Sequence, residues 1–342
     1  MNIEMKKKAL IFGVNGQDGS YLAELLISKK YVVHGTRRYS STNNIKNLSS
    51  VINNQNFHLH YADVTDSSNI QSILNECRPD EIYNLAAQSH VHVSFFTPEY
   101  TANVDALGHL KILEAARKLN KKLKIYNAST SELFGSTGQK PQNERTFFEP
   151  VSPYSIAKQY AFGISKIYRQ AYGMFICNGI LFNHESPRRG LSFITRKITR
   201  AIADIVSKKI DCFSVGNLNA KRDWGYAKEY VFPMWKMLQK KKPDDYVIST
   251  GKQYSVRDFI SRCFKYVKID ISWVGTGNKE RAIDKNGKVL VKVDPFYFRP
   301  NEVGDLLGDS RKAKRELNWS PKTDIDGLVK IMMDHDLNLE NE

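Results

Sequence analysis

The chain has 342 residues, 41% of them hydrophobic and 25% charged, which excludes a disordered chain and allows one large domain or two modest ones. The formal net charge is +15, but the lysines are dispersed and no nucleic-acid motif accompanies them. Nucleic acid is therefore not an expected partner, and the charge suits a protein that binds polyanionic small molecules.

Lys8–Val14 reads as a buried strand and Gly19–Lys30 as a helix. Between them runs Gly13-Val14-Asn15-Gly16-Gln17-Asp18-Gly19, a G-x-x-G-x-x-G turn. Glycines there allow a tight turn and let backbone N–H groups approach a pyrophosphate at the positive end of a helix. Gly13, Asn15, Gly16, Gln17, Asp18 and Gly19 are thus cofactor-binding candidates. A second strand, Tyr31–Thr36, ends on Arg37 and Arg38. An NAD site normally has an acid at that point for the ribose hydroxyl; two arginines suit a 2′-phosphate, so the expected cofactor is NADP.

Phe57–Tyr61 is the next strand, followed by Asp63 and Val64 at the adenine edge. Ser67–Cys77 is helical with Asp66 or Ser67 as N-cap, and Glu81–Leu85 is a strand. Leu85, Ala86 and Ala87 are small or apolar where the cofactor must lie close. A long helix over Tyr100–Leu119 precedes a strand at Lys122–Ala128, a helix at Ser155–Tyr172 and a strand at Phe175–Phe182. Short apolar strands alternating with helices imply an α/β fold with a doubly wound parallel sheet. After Asn183 the pattern loosens, with helices at about 191–207 and 228–240. The expected division is a Rossmann domain of 1–180 plus about 226–250, with a smaller C-terminal α/β substrate lobe of about 181–225 and 251–342.

Tyr154 and Lys158 form Y-x-x-x-K, an i, i+4 pair that shares one helix face. A nearby ammonium is expected to lower the phenol's pKa, so that Tyr154 can act as a base on a sugar hydroxyl. Thr130, at the end of the preceding strand, offers a hydroxyl to the same oxygen. Glu132 adds a carboxylate, which a simple hydride transfer does not need and which suits proton abstraction next to a new ketone.

With these residues in place, the sequence resembles the GDP-mannose 4,6-dehydratases of the extended short-chain dehydrogenase/reductase superfamily, from about residue 8 to 335. The likeness rests on Gly16-Gln17-Asp18-Gly19-Ser20-Tyr21-Leu22, Asn84-Leu85-Ala86-Ala87-Gln88-Ser89-His90-Val91 and Ala128-Ser129-Thr130-Ser131-Glu132-Leu133-Phe134-Gly135. It extends through Phe182-Asn183-His184-Glu185-Ser186-Pro187-Arg188-Arg189-Gly190, Thr195-Arg196-Lys197-Ile198, Arg222-Asp223-Trp224-Gly225 and Phe298-Arg299-Pro300-Asn301-Glu302-Val303. The resemblance implies a GDP-sugar substrate and an internal redox cycle that removes water and leaves a GDP-4-keto-6-deoxy sugar. It implies that Ser89 and Asn183 contact the sugar and diphosphate region. Lys197, Arg222 and Arg299 would neutralise phosphates, and Glu302 would bind ribose. His184 and Arg189 would lie near the cofactor, and Arg37–Ser41 would cross to a neighbouring subunit in a homotetramer or dimer.

The sequence departs from the family where His92, Phe96 and Leu191-Ser192 stand. The family often has a small residue, an acid and Glu-Thr at those positions. A modified hexose pocket follows as an expectation, for GDP-mannose or GDP-D-glycero-D-manno-heptose. Rival readings are a 4-epimerase or 4-keto-sugar epimerase/reductase, which Glu132 argues against. A non-catalytic regulator is argued against by the intact Tyr154 and Lys158.

No apolar run is long enough to span a membrane, and the stretch behind Lys6–Lys8 is too short for a signal peptide. Cys77, Cys177, Cys212 and Cys263 are widely spaced without C-x-x-C. They read as small buried residues in a reducing cytoplasm, and no metal is expected.

Overall fold

The first strand, β1 (Lys8–Phe12), has apolar residues on both faces, and four of its five residues are fully buried. That is the pattern of a strand covered on two sides. In the computed structural model, which describes residues 6–42, 44–119, 122–135, 137–298, 300–301, 303 and 305–339, it lies inside a seven-stranded sheet. The chain continues through α1 (Gln17–Ser28), β2 (Val32–Arg37), β3 (Phe57–Tyr61), α2 (Ser67–Cys77) and β4 (Glu81–Asn84). Short helices α3 (Val91–Ser94) and α4 (Pro98–Ala102) follow. A π-helical turn, Asn103–Leu107, then leads into α5 (Gly108–Lys118). After β5 (Lys124–Thr130), α6 (Pro153–Tyr172) and β6 (Phe175–Leu181) come the short β7 (Asn183–Glu185), α7 (Ile194–Val206), β8 (Phe213–Val215), β9 (Lys221–Arg222) and β10 (Trp224–Tyr226). Next are α8 (Ala227–Leu238) and β11 (Tyr246–Ile248). The last stretch holds β12 (Tyr254–Ser255), α9 (Val256–Tyr266), β13 (Ile271–Val274), β14 (Arg281–Asp284), β15 (Val289–Val293), α10 (Arg311–Leu317) and α11 (Ile325–Asn338).

The large sheet runs β11-β6-β5-β4-β1-β2-β3, and every pairing in it is parallel. This is the doubly wound parallel sheet expected from the sequence. The strand order reverses beside β1, between β4 and β2, and a crevice opens there at the carboxyl ends of the strands. Asp66 caps α2 by accepting from Ser68 N and Asn69 N. Ser152 and Ser155 form a capping box on α6, with Pro153 at its first turn. The helix therefore starts two residues before the expected Ser155.

Three asparagines fix register across the sheet. Asn84, Asn127 and Asn178 pair in line on β4, β5 and β6. Asn127 Nδ2 donates to Asn178 Oδ1 at 2.9 Å, and Asn178 Nδ2 donates to Asp245 Oδ1 at 2.9 Å. A slip of one residue would strand these buried amides without partners, at about 1–3 kcal/mol each.

The second lobe packs α7, α9 and α11 against a sheet ordered β13-β14-β15-β8. Its core holds Ile198, Ile202, Phe259, Phe264, Leu328 and Met332. This lobe carries Lys197 and Arg222 to the cleft.

Candidate active site

A cleft of about 1080 Å³ opens at the carboxyl ends of the central strands and is closed on its far side by the second lobe. The glycine turn forms its floor. Gly13 has φ +80°, and a Cβ there would lie 3.0 Å from Ala86 N and Cα. A Cβ on Gly19 would lie 2.4 Å from the Gly13 carbonyl oxygen. Only glycine fits both positions. Gly16 caps α1 without a side-chain hydrogen bond, so the first-turn N–H groups remain available to an anion at the positive helix end. Gly13, Asn15, Gly16, Gln17, Asp18 and Gly19 all line the cleft, and this cradle fits a dinucleotide's pyrophosphate.

Asp18 and His184 tie this turn to β7. His184 Nε2 and Asp18 Oδ2 are 2.7 Å apart, and His184 Nδ1 bonds the Phe182 carbonyl at 2.7 Å. Burial alone would lift the Asp18 carboxyl, but His184 outweighs it and holds Asp18 below its ordinary value. Burial likewise pulls His184 down, yet Asp18 more than offsets this and holds it above. Gln17 Nε2 donates to the His184 carbonyl at 3.0 Å.

At the end of β2 the two arginines separate. Arg38 lines the cleft and bonds the Tyr100 hydroxyl. Arg37 is buried outside that lining, with Nη2 donating to the Tyr61 hydroxyl at 3.2 Å. Alternation along a strand accounts for this, since successive side chains point to opposite faces. Arg37 Nε and Nη1 are buried without a hydrogen-bond partner among the described residues. Asp63, Val64, Leu85, Ala86 and Ala87 line the cleft from neighbouring strand ends.

Tyr154 and Lys158 lie one turn apart on α6, both buried and both in the cleft. Lys158 Nζ donates to the Ala128 carbonyl at 3.1 Å and stands 3.9 Å from Asp105 Oδ1. Burial raises the Tyr154 phenol well above its ordinary value, and the carboxylates of Asp105 and Glu132 add to this. A hydrogen bond with Thr130 and the charge of Arg189 work in the opposite direction. The expected lowering is thus overturned in the chain by itself, because desolvation outweighs the favourable contacts. Burial also lowers the Lys158 ammonium, while Asp105 raises it.

Thr130 ends β5 and caps the turn Ser131–Leu133, accepting from Glu132 N at 3.2 Å. Glu132 is 6% exposed, and both residues face the cleft. Ser89, Asn183, Lys197 and Arg222 line its other wall, and the Lys197 ammonium sits 3.3 Å from the centre of the Tyr297 ring. Arg189 Nε is 3.3 Å from Glu185 Oε2 and its guanidinium covers the Phe193 ring. Arg299 and Glu302 lie outside the described residues. His92, Phe96, Leu191 and Ser192 also line the cleft.

Sequence reasoning missed Asp105. The Tyr100–Leu119 pattern read as one uninterrupted helix, and nothing in it marked the π-helical turn that carries this carboxylate to Lys158.

A glycine cradle at the β1–α1 switch point and a Tyr/Lys pair on α6 define a nucleotide-binding α/β protein of the short-chain dehydrogenase/reductase kind. Solved structures agree at the level of fold. The UDP-glucose 4-epimerase of Thermotoga maritima, solved with UDP-glucose, has a TM-score of 0.82 at 22% identity, covering 97% of this chain and 99% of that one. The dTDP-glucose 4,6-dehydratase of Bacillus anthracis, solved with NAD, has a TM-score of 0.80 at 17% identity, covering 98% of each chain. The family model described as GDP-mannose 4,6 dehydratase matches residues 10–332. The GDP-mannose 4,6-dehydratase of Vibrio cholerae is 52% identical over 97% of this chain and 94% of its own. That of Drosophila melanogaster is 52% identical over 97% of this chain and 87% of its own. The chain belongs to the GDP-mannose 4,6-dehydratase family.

Proposed function

We propose that the chain is an NADP-dependent 4,6-dehydratase of a GDP-linked manno sugar, GDP-mannose or GDP-D-glycero-D-manno-heptose. The observation that carries this is the presence of Thr130, Glu132, Tyr154 and Lys158 in the same cleft as the glycine cradle. Tyr154 takes the proton of the sugar's 4-OH, and the Thr130 hydroxyl holds the same oxygen. Lys158 supplies positive charge beside the phenolate. When bound, the oxidised nicotinamide would accept the C4 hydride and later return it to C6, its positive charge also favouring the phenolate. A ketone at C4 acidifies the C5 proton, and Glu132 removes it and passes it to the departing C6 hydroxyl, which leaves as water. The proton that Tyr154 took from the 4-OH is then delivered to C5, so that Tyr154 and Glu132 both end the cycle as they began it.

The choice of NADP rests on Arg38 in the cleft and the lack of an acid at the end of β2. Gly13, Asn15, Gly16, Gln17, Asp18, Gly19, Asp63, Val64, Leu85, Ala86, Ala87, His184 and Arg189 complete the proposed cofactor site. Ser89 and Asn183 would hold the sugar and diphosphate, with Lys197, Arg222 and Arg299 neutralising phosphates and Glu302 on the ribose. The division into an NADP-binding domain, 1–180 plus about 226–250, and a substrate lobe, about 181–225 and 251–342, is part of the same proposal. So are a homotetrameric or dimeric assembly and a cytoplasmic location. Tyr39, 74% exposed in the loop after β2, is available for a contact between subunits, and no described helix is long and apolar enough to cross a membrane.

His92 bears on the choice of sugar. Its Nδ1 is buried with no hydrogen-bond partner among the described residues, and its ring contacts Phe96 in the cleft wall. Purified chain with NADP+ should convert GDP-mannose or its heptose analogue to a product lighter by one water, about 18 mass units, without NADPH accumulating. Whichever sugar turns over faster identifies the pocket. Epimerisation without mass loss contradicts the proposal.

A further inference from the structure

Away from the cleft, one face of the large sheet carries three histidines where apolar residues would be expected. His34 on β2 pairs in register with His58 on β3, and His60 follows two residues on, so all three share a face. The helix α2 covers that face with Ile70, Ile73, Leu74 and Cys77. Leu10 and Phe12 of β1 belong to the same apolar cluster. A helix-covered face of a parallel sheet is ordinarily apolar, whereas here His34 and His60 are half-buried with their ring nitrogens turned toward each other and His58 is exposed.

The ligand atoms converge. His34 Nδ1 and His60 Nε2 are 3.0 Å apart, and Cys77 Sγ is 3.8 Å from the same His60 nitrogen. The three ligand atoms of His34, His60 and Cys77 all lie within 4.8 Å of one another. A tetrahedral zinc site has metal–nitrogen bonds of about 2.0–2.1 Å and a metal–sulfur bond of about 2.3 Å, which sets its N···N and N···S separations near 3.3 and 3.6 Å. The found separations need shifts of only a few tenths of an ångström at the two measured pairs. Glu76 Oε1 stands 3.9 Å from His60 Nδ1, the ring nitrogen left over if Nε2 binds metal. A carboxylate in that place fixes the tautomer and orientation of a ligating histidine.

We infer that His34, His60 and Cys77 form a binding site for a borderline divalent transition ion of the zinc class, with Glu76 orienting His60. The fourth position goes to water. On binding, the Cys77 thiol proton leaves to solvent as the sulfur–metal bond forms, and no electron is transferred. The ion would clasp β2, β3 and α2 together. None of the three ligands is among the cleft's lining residues, so the ion would stand apart from the chemistry of the cleft. The clasp sits behind Arg37, whose Nη2 bonds Tyr61, the neighbour of His60. Sequence inspection gives no warning of this site, because its ligands come from three elements and no C-x-x-C or H-x-x-x-H spacing appears.

The test is a titration of tag-free, chelator-treated full-length protein with Co2+ alone, followed by displacement with Zn2+. The expected result is one equivalent of tightly bound cobalt, with visible d–d bands and a near-ultraviolet thiolate-to-cobalt band. Cys77→Ala should lose the thiolate band. His34→Gln, at a half-buried position that leaves the thiol in place, should weaken binding about 100-fold or more, and Glu76→Gln about 10-fold. Circular dichroism establishes that each variant is folded. A folded wild-type chain that shows no tetrahedral cobalt spectrum overturns the inference, as do His34→Gln and Cys77→Ala variants that titrate like wild type.

Discussion

Lys158 Nζ lies 3.9 Å from Asp105 Oδ1, and both side chains are buried. Burial lowers the lysine and Asp105 raises it, while burial pushes the Asp105 carboxyl up to about 7 against the pull of Lys158. Gln88 N donates to the same Asp105 oxygen at 3.0 Å and fixes the carboxylate in place. Asp105 is therefore placed to favour the charged form of the buried Lys158 beside Tyr154.

Asp105→Asn removes the influence that raises the Lys158 pKa. The alkaline limb of the kcat profile should move to lower pH, and kcat at its optimum should fall about ten-fold, or ~1.4 kcal/mol. A profile of kcat against pH checks this. A variant slower at every pH but with an unmoved limb would make Asp105 a packing residue only.

Glu132→Gln should separate the two halves of the reaction. Dehydration should slow by about 10²–10⁴-fold, the usual worth of a general acid–base group. Single-turnover reduction of bound NADP+ by GDP-mannose should persist, because C4 oxidation needs Tyr154 and not Glu132. Exchange of the C5 proton with deuterated solvent should be lost. If exchange continues at the wild-type rate, another group is the C5 base.

Much of this site was legible in the sequence, and the reasons are local. The glycine turn is visible because only glycine tolerates φ +80° at Gly13 and the close approach at Gly19. Tyr154 and Lys158 are visible because helical spacing alone puts them on one face. Asp66 as N-cap follows from side-chain chemistry within three residues. What the sequence hides depends on contacts between distant segments. The π-helical turn that delivers Asp105 and the burial that lifts Tyr154 are both tertiary effects. Helices α9, α10 and α11 are hidden as well, since the second lobe's short strands and aromatic residues blur their period.

Arg38 is the cleft-facing cation at the end of β2. Arg38→Ala should raise the Kd for NADP by about 10- to 100-fold, as loss of a charge-assisted phosphate contact does, and leave that for NAD unchanged. Isothermal titration with both dinucleotides measures this. Equal weakening of both would place Arg38 elsewhere than on the 2′-phosphate.

The Asp18–His184 pair makes stability depend on pH in a defined sense. His184 is raised in the folded chain, so its contribution is fully present below pH 6.5 and is lost as pH climbs through its raised value. Asp18 is lowered, so its contribution is present above pH 3.8 and is lost as pH falls through its lower folded value. His184→Asn should flatten the alkaline decline of the thermal midpoint. Wild-type and variant curves that run parallel above pH 6.5 would show that the pair contributes nothing.

The central claim is an internal redox cycle, and a single label tests it most directly. GDP-mannose carrying deuterium at C4 should give a product with that deuterium at C6 of the same sugar, lighter by one water, with no NADPH released. Deuterium that washes into solvent, or that remains at C4 with the configuration inverted, would contradict the dehydratase mechanism.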